Sequence, residues 1–185
     1  GVIFGDRFEV EALVGEGGVG RVFRARDREA HGYVAIKILR PEYREDSRIR
    51  RRFLREARAA NRLQHPNVVQ SYAYGEHESG PFIVMEYVEG VSLSDFREKG
   101  LPFDELMNLT GEVLSALAYI HARGIIHRDL KPENILLVEG EPGERSSKLL
   151  DFGFARVEDE QDGLTKTDAF GTPTYMAPEQ VSGTG

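Results

Sequence analysis

The most constraining feature of the sequence is the run His127-Arg128-Asp129-Leu130-Lys131-Pro132-Glu133-Asn134. With this composition, the pattern H-R-D-x-K-x-x-N would arise by chance on the order of once in 10⁵ chains. Pro132 restricts the backbone between Asp129 and Asn134. A carboxylate and a carboxamide are therefore held close together in sequence on one stiffened turn.

These two side chains suit the transfer of a phosphoryl group. Asp129 can orient an attacking hydroxyl group and accept its proton, while Asn134 supplies a neutral oxygen for a divalent cation. Asp151, which opens Asp151-Phe152-Gly153 directly after an apolar stretch, offers an acidic ligand. The sequence therefore predicts a phosphoryl-transfer site with Asn134 and Asp151 as metal ligands.

A glycine-rich turn, Gly15-Glu16-Gly17-Gly18-Val19-Gly20-Arg21-Val22, lies near the start of the chain. Its three spaced glycines would occur by chance roughly 0.2 times per chain, so a fortuitous turn is a serious alternative. Residues 21–26 keep a period of two and continue as a strand, whereas a dinucleotide-binding fold needs a helix there. A glycine turn between strands can lie over phosphates, because its N–H groups approach closely. The candidate nucleotide contacts are Gly15, Gly17 and Gly20 for phosphate, and Val14 and Val22 for adenine.

Lys37 ends the run Val34-Ala35-Ile36-Lys37 on an otherwise apolar strand. An edge lysine that reaches water would explain one such residue equally well. If Lys37 faces a nucleotide, its ammonium group neutralises phosphate oxygens and needs a carboxylate to hold it. Glu56 is the only acidic residue between Asp46 and Glu76. A solvent-facing pair between Glu56 and a helix arginine is the competing interpretation.

Hydrophobic periodicity divides the chain into a strand-rich first part and a helix-led second part. The elements expected in the first part are antiparallel strands within residues 8–40, a helix at about 45–63, and strands at 68–74 and 81–87. Those expected in the second part are a helix at 104–122 and a hairpin of 135–138 with 148–150, followed by a loop-like segment at 151–185. These patterns predict an α+β, bilobal fold. Its first lobe, residues 1–88, is an antiparallel sheet with one helix, and its partial helical second lobe spans 89–185. The hinge is expected at residues 86–90.

Composition narrows the class of protein. Hydrophobic residues make up 40% and charged residues 30%, which is typical of a globular protein. No stretch approaches the ~20 apolar residues of a membrane span, and cysteine is absent. Residues 1–65 carry 15 basic against 10 acidic residues and residues 66–185 carry 9 against 21, or +5 and −12, which sum to −7. Either the charged residues of both ranges form solvated surfaces without a further role, or the acidic range 66–185 attracts a basic peptide.

The motifs follow one another in the order found in protein kinases, and the chain resembles that family over nearly its whole length. The set comprises the glycine turn, Lys37, Glu56, residues 127–134, Asp151-Phe152-Gly153 and Ala177-Pro178-Glu179. Lys131 and Gly171-Thr172 resemble Ser/Thr rather than Tyr kinases, and the glycine turn resembles bacterial kinases of the eukaryotic type. The resemblance implies transfer of the ATP γ-phosphoryl group to Ser or Thr hydroxyls of proteins. It also implies magnesium, or manganese in its place.

The resemblance assigns further roles by position. Lys131 contacts the transferred phosphate, and Lys37, Glu56, Asp129 and Asn134 complete the catalytic set. Five residues surround the adenine: Ala35, Met85, Glu86, Val88 and Leu136. Because the chain stops soon after Glu179, whose arginine partner comes later in the family, we expect it to be marginally stable or inactive alone.

Regulation and partners are also implied by the resemblance. Arg128 precedes the catalytic aspartate, as in kinases switched by activation-loop phosphorylation, and Arg156 resembles a position that joins the same anion site. The candidate regulatory threonines are Thr165, Thr167 and Thr172, with autophosphorylation hypothesised at Thr167 or Thr165 and dimerisation as its route.

Expected partners are Ser/Thr-containing proteins, arginine-containing ones among them, and no nucleic acid. A cytoplasmic location is expected for this part, whether or not the parent is anchored in a membrane. An ATP-binding pseudokinase scaffold and a small-molecule phosphotransferase are the alternatives.

Overall fold

The structure is a computed structural model that describes residues 2–96, 100–141, 144–150, 156–157 and 173–178. These residues form two compact units. The first contains the described residues among 2–64 and 70–88, and the second contains residues 65–69 and the described residues from 89 onward. No helix in the described ranges is long and apolar enough to span a bilayer.

The first unit is built on one antiparallel sheet. Its six strands are β1 (Ile3–Phe4), β2 (Phe8–Glu16), β3 (Gly20–Asp27), β4 (Tyr33–Leu39), β5 (Ser71–His77) and β6 (Gly80–Glu86). The strand order is β1-β2-β3-β4-β6-β5, so β4 lies between β3 and β6 in the interior of the sheet. The expected antiparallel strands within residues 8–40 are therefore present, and the two-residue strand β1 extends the sheet beyond them.

The predicted start of the fifth strand at Val68 is wrong. Strand β5 begins at Ser71, while Val68 and Val69 are buried within the second unit. The backbone N–H of Val69 donates to Leu149 O at 3.0 Å, and Val68 forms an isolated bridge with the same residue. These valines are apolar because they pack in the core of the second unit. An apolar pattern typical of a strand does not show which core its side chains enter.

Helix α1 (Ser47–Ala60) supplies the other layer of the first unit. It begins after Asp46, whose Oδ1 accepts hydrogen bonds from the backbone N–H groups of Arg48 and Ile49 at 2.9 and 3.1 Å. Such a cap satisfies N–H groups that the first turn leaves unpaired. The helix buries Phe53 and Ala57 in a hydrophobic cluster with residues of β4 and β6.

The second unit combines one long helix with short strands. Its elements are β7 (Val91–Ser92), helix α2 (Phe103–His121), β8 (Ile125–Ile126), β9 (Ile135–Glu139), β10 (Arg145–Leu149) and β11 (Arg156–Val157). The sheet order is β10-β9-β7, and β8 pairs with β11. Helix α2 is tied to β10 because Ser147 Oγ donates to Glu112 Oε2 at 2.9 Å. The predicted helix and hairpin are thus both present.

Candidate active site

Lys37 and Glu56 form a buried ion pair in the first unit. Lys37 Nζ lies 3.2 Å from Glu56 Oε1, and the two side chains are only 5% and 6% exposed. Strand alternation places Ile36 and Ile38 in one hydrophobic cluster of the sheet, and it turns Lys37 toward the side on which Leu39 contacts helix α1. Lys37 is therefore not an edge lysine that reaches water, and Glu56 does not form a solvent-facing helical pair.

The burial of this pair has a thermodynamic cost. Removing an ammonium group and a carboxylate from water costs several kcal/mol for each ion by general estimates, and the mutual attraction often only offsets that cost. A buried pair of this kind is therefore weak grounds for a purely stabilising role. It is better explained by a function that needs a fixed positive charge on this face of the sheet.

The glycine turn between β2 and β3 lies close to Lys37. The N–H of Gly17 donates to Gly20 O at 2.8 Å, and Val22 pairs with Lys37 across the β3–β4 ladder. A Cβ added to Gly20 would lie 3.2 Å from Lys37 Cγ, Lys37 Cε and Ile38 O. Glycine at position 20 therefore allows the turn to approach the lysine, whereas Gly15 and Gly17 have room for a methyl group.

The residues predicted to contact adenine are divided between the two units. Ala35 and Met85 are directly paired across β4 and β6, and Val14 lies half exposed on β2. The N–H of Glu86 donates to Gln70 O at 2.8 Å, so this N–H is already used within the first unit. Val88 follows β6, and Leu136 belongs to β9 of the second unit.

In the second unit, Asp129, Lys131 and Asn134 contact one another. Asn134 Nδ2 donates to the main-chain oxygen of Asp129 at 2.8 Å and to its Oδ2 at 3.1 Å. Lys131 Nζ lies 2.9 Å from the same Oδ2. Asp129 and Asn134 are each 8% exposed. The structure thus gathers a carboxylate, an ammonium group and an amide within hydrogen-bonding distance.

His127 and Arg128 shape the turn that carries Asp129. His127 Nδ1 accepts from Asp129 N at 3.3 Å, so in the neutral ring Nε2 carries the proton and donates to Leu150 O at 2.9 Å. Arg128 has φ of +65°, a left-handed conformation that non-glycine residues rarely adopt. Sequence reasoning assigned no role to His127, although its place in the motif was the available signal.

The amide of Asn134 is oriented in a way that fits a cation ligand. Its nitrogen donates two hydrogen bonds to Asp129, one to the main-chain oxygen and one to the carboxylate. The amide oxygen is therefore the atom that could bind a metal. No group of three or more His, Asp or Glu side chains able to hold a metal occurs within the described ranges. Asp151, the other predicted ligand, lies outside the described residues.

Several predicted regulatory residues also lie outside the described residues, namely Thr165, Thr167 and Thr172. Arg128 is half-buried. Arg156 is described only in its backbone, where it pairs with Ile126 across β11 and β8.

Comparisons of the chain with family models, with curated proteins and with solved structures all identify the same family. A family model for the protein kinase domain matches residues 8–185. The chain is 44% identical to the serine/threonine-protein kinase pkn3 of Myxococcus xanthus over 184 residues, which cover 96% of this chain and 34% of that protein. It is 37% identical to the serine/threonine-protein kinase PrkC of Bacillus subtilis over 179 residues, which cover 96% and 27%.

A crystal structure of the Mycobacterium tuberculosis PknI kinase domain matches the fold with a TM-score of 0.69 and 34% identity. The match covers 84% of this chain and 63% of that one. The chain therefore spans about a third or less of these curated relatives and under two thirds of the solved domain.

Proposed function

The chain belongs to the protein kinase domain family, and on that premise we propose that it transfers the γ-phosphoryl group of ATP to serine or threonine hydroxyls of proteins. The observation that carries the proposal is the contact of Asn134 and Lys131 with the carboxylate of Asp129. This arrangement fixes a proton acceptor beside a positive charge, as phosphoryl transfer to a hydroxyl requires.

Asp129 is the proposed acceptor of the substrate proton. The hydroxyl oxygen attacks the γ-phosphorus, the bond to the bridging oxygen of ADP breaks, and the hydroxyl proton passes to the Asp129 carboxylate. Asn134 holds that carboxylate through its amide nitrogen. Lys131 Nζ, at 2.9 Å from Oδ2, provides positive charge for the phosphoryl oxygens during transfer.

Lys37 is the proposed ligand of the α- and β-phosphates. Glu56 holds its ammonium group on the face of the sheet that turns toward helix α1, and glycine at position 20 lets the turn approach it. The backbone N–H groups of the glycine turn are proposed to bind phosphate oxygens as well.

Protein kinases use ATP together with a divalent cation. We propose magnesium as that cation, with manganese as the alternative, held by the amide oxygen of Asn134 and the carboxylate of Asp151. When bound, the cation neutralises negative charge on the phosphates.

Substrates and regulation follow from the same premise. Protein substrates are proposed, arginine-containing ones among them, because Glu133 and the acidic residues of 66–185 can attract basic peptides. Autophosphorylation at Thr165 or Thr167, through a dimer, is proposed to supply an anion for Arg128 and Arg156.

The proposal is tested by incubating the full-length protein with γ-labelled ATP and magnesium. The acceptor is either a generic basic protein or an aminoglycoside. We expect label on serine and threonine of the basic protein after acid hydrolysis. Label confined to the aminoglycoside would assign a small-molecule phosphotransferase, and ATP binding without any transfer would assign a scaffold.

A further inference from the structure

A cavity of about 170 Å³ lies on one face of the sheet of the first unit. Phe4, Val10, Phe23 and Ile38 line it, and all four belong to the same hydrophobic cluster. Val2 also lines it and is half exposed, so the cavity reaches the surface. Within the described part of the chain, the residues of the cavity wall have no part in the proposed reaction.

The volume of the cavity determines what size of group can fill it. A water molecule takes up about 30 Å³ in the liquid, so the cavity is several times larger than one water. An apolar protein cavity of about 150 Å³ is known to bind benzene. The cavity of the first unit is therefore large enough for one six-membered ring.

One cationic side chain of the cavity wall lacks a counter-charge. Arg44 Nε is buried, and within the described ranges the Arg44 guanidinium group forms no hydrogen bond and no ion pair. The other arginine of the wall, Arg21, is compensated, because its Nε lies 2.6 Å from Glu16 Oε1. A buried donor without an acceptor is costly, so an anion bound beside Arg44 would be stabilised.

The backbone around Arg44 determines where its side chain lies. Pro41 opens a 3₁₀ turn (Pro41–Tyr43) soon after strand β4, and Arg44 N donates to Pro41 O at 3.2 Å. The stem of Arg44 passes Gly80, where an added Cβ would lie 3.4 Å from Arg44 Cγ. Gly80 has φ of +107°, which other residues rarely adopt. A proline turn and a glycine turn thus hold the guanidinium group at the cavity.

Charge and size together select one class of ligand. One uncompensated positive charge matches a monoanion, whereas a phosphate dianion would bring an additional negative charge near Glu16. An ammonium group on the ligand, as in a free amino acid, would be repelled by Arg44 and Arg21. Guanidinium groups bind planar carboxylates with two parallel hydrogen bonds. The apolar wall favours an aromatic ring as the body that carries the carboxylate.

We propose that this cavity is a binding site for a small aromatic carboxylate. The ring lies among Phe4, Val10, Phe23 and Ile38, and the carboxylate pairs with Arg44. Successive side chains of a strand point to opposite faces, so a ligand beside Ile38 does not compete with ATP for Lys37. One ring and one ion pair give a weak complex, with a Kd of about 0.1–5 mM.

The test is saturation-transfer NMR with the full-length protein. The probes are benzoate, phenylacetate and 3-phenylpropionate, which hold the carboxylate at three distances from the ring. We expect at least one of them to bind with a Kd of about 0.1–5 mM, and saturating ATP with magnesium should not displace it. The neutral amide of the bound acid should bind at least about threefold more weakly, because it keeps the shape but loses the charge.

Three variants locate the site. Arg44→Gln should raise the Kd of the bound probe by about 3- to 30-fold. Its matched control, Arg26→Gln, removes an exposed arginine that does not line the cavity and should change the Kd less than about twofold. Val10→Phe places a ring of the protein in the cavity and should prevent binding. Circular dichroism identifies which variants are folded, and any folded variant at position 10 or 44 tests the site.

Four results would overturn the proposal. The first is that no probe binds at concentrations up to about 20 mM, well above the expected Kd. The second is displacement of the probe by ATP, and the third is equal binding of the acid and its amide. The fourth is an unchanged Kd in a folded Arg44→Gln or Val10→Phe variant. Displacement by an equal concentration of inorganic sulfate would equally contradict it, because the site would then bind simple anions.

Discussion

Lys37 Nζ lies 3.2 Å from Glu56 Oε1, with both side chains almost wholly buried between strand β4 and helix α1. The contact joins two residues nineteen positions apart and places a positive charge on an otherwise apolar strand. In the proposed reaction this charge binds the phosphates of ATP, and Glu56 determines where it is held.

Replacement of Lys37 is expected to weaken ATP binding. Because hydrogen bonds to charged groups are worth about 1.5–3 kcal/mol, Lys37→Met should raise the Kd for ATP by roughly 10- to 100-fold. Glu56→Gln should raise it less, since the amide can still accept a hydrogen bond from Lys37. Isothermal titration of ATP into the full-length variants measures both. Unchanged affinity in Lys37→Met would remove the lysine from the nucleotide site.

Sequence reasoning succeeded where a motif joined chemically complementary residues. The contact of Lys37 with Glu56 was expected from the need of a buried ammonium group for a carboxylate, and it is present. The hydrogen bond of Asn134 with Asp129 was not predicted, although both residues belong to the same motif. Their roles in catalysis stay predictions, as do the lobe boundary at residue 88 and the hinge at 86–90. Asp151 lies outside the described residues.

Other features could not be predicted because they arise only from the folded packing. Strand β1 is two residues long, too short to show any period. The ion pair of Arg7 with Asp27 joins the turn before strand β2 to the end of strand β3, and nothing in the sequence matches one charge to the other. The predicted strand at 68–74 placed Val68 in the first lobe, whereas Val68 packs in the second unit. An apolar residue indicates burial but does not identify the element against which it packs.

The Arg7–Asp27 pair predicts a pH dependence of stability. Arg7 donates to both carboxylate oxygens of Asp27, at 2.8 and 2.6 Å, and these bonds hold the pKa of that carboxyl well below its usual range. A pKa lower in the folded than in the unfolded state favours folding when the group is ionised. This stabilisation is complete above the unfolded value of about 4 and is lost as the pH falls toward the folded pKa.

The free energy of unfolding should therefore decrease below about pH 4, and it should decrease less steeply in Asp27→Asn. Urea titrations of both proteins at several pH values measure the two slopes. Identical slopes for wild type and variant would exclude Asp27 as a contributor to the acid sensitivity.

Two glycines of the second unit are expected to respond oppositely to alanine. A Cβ at Gly90 would lie 2.6 Å from Leu137 O, so Gly90→Ala must displace strand β9 and should destabilise the protein by about 1–3 kcal/mol. A Cβ at Gly111 in helix α2 meets nothing within 4 Å. Gly111→Ala should stabilise the protein by about 0.5–1 kcal/mol, because alanine favours the helix. Chemical denaturation measures both, and a stability loss in both variants would contradict the packing at Gly111.

The central claim is that Asp129 accepts the proton of the phosphorylated hydroxyl, and its most direct test is the steady-state kinetics of Asp129→Asn in the full-length protein. The variant should lower kcat for phosphorylation of a basic protein by about 10²- to 10⁴-fold, or about 3–5 kcal/mol in the barrier. Its Kd for ATP should stay within about threefold of wild type, since Lys37 and the glycine turn are intact. Turnover equal to that of the wild-type protein would contradict the assignment.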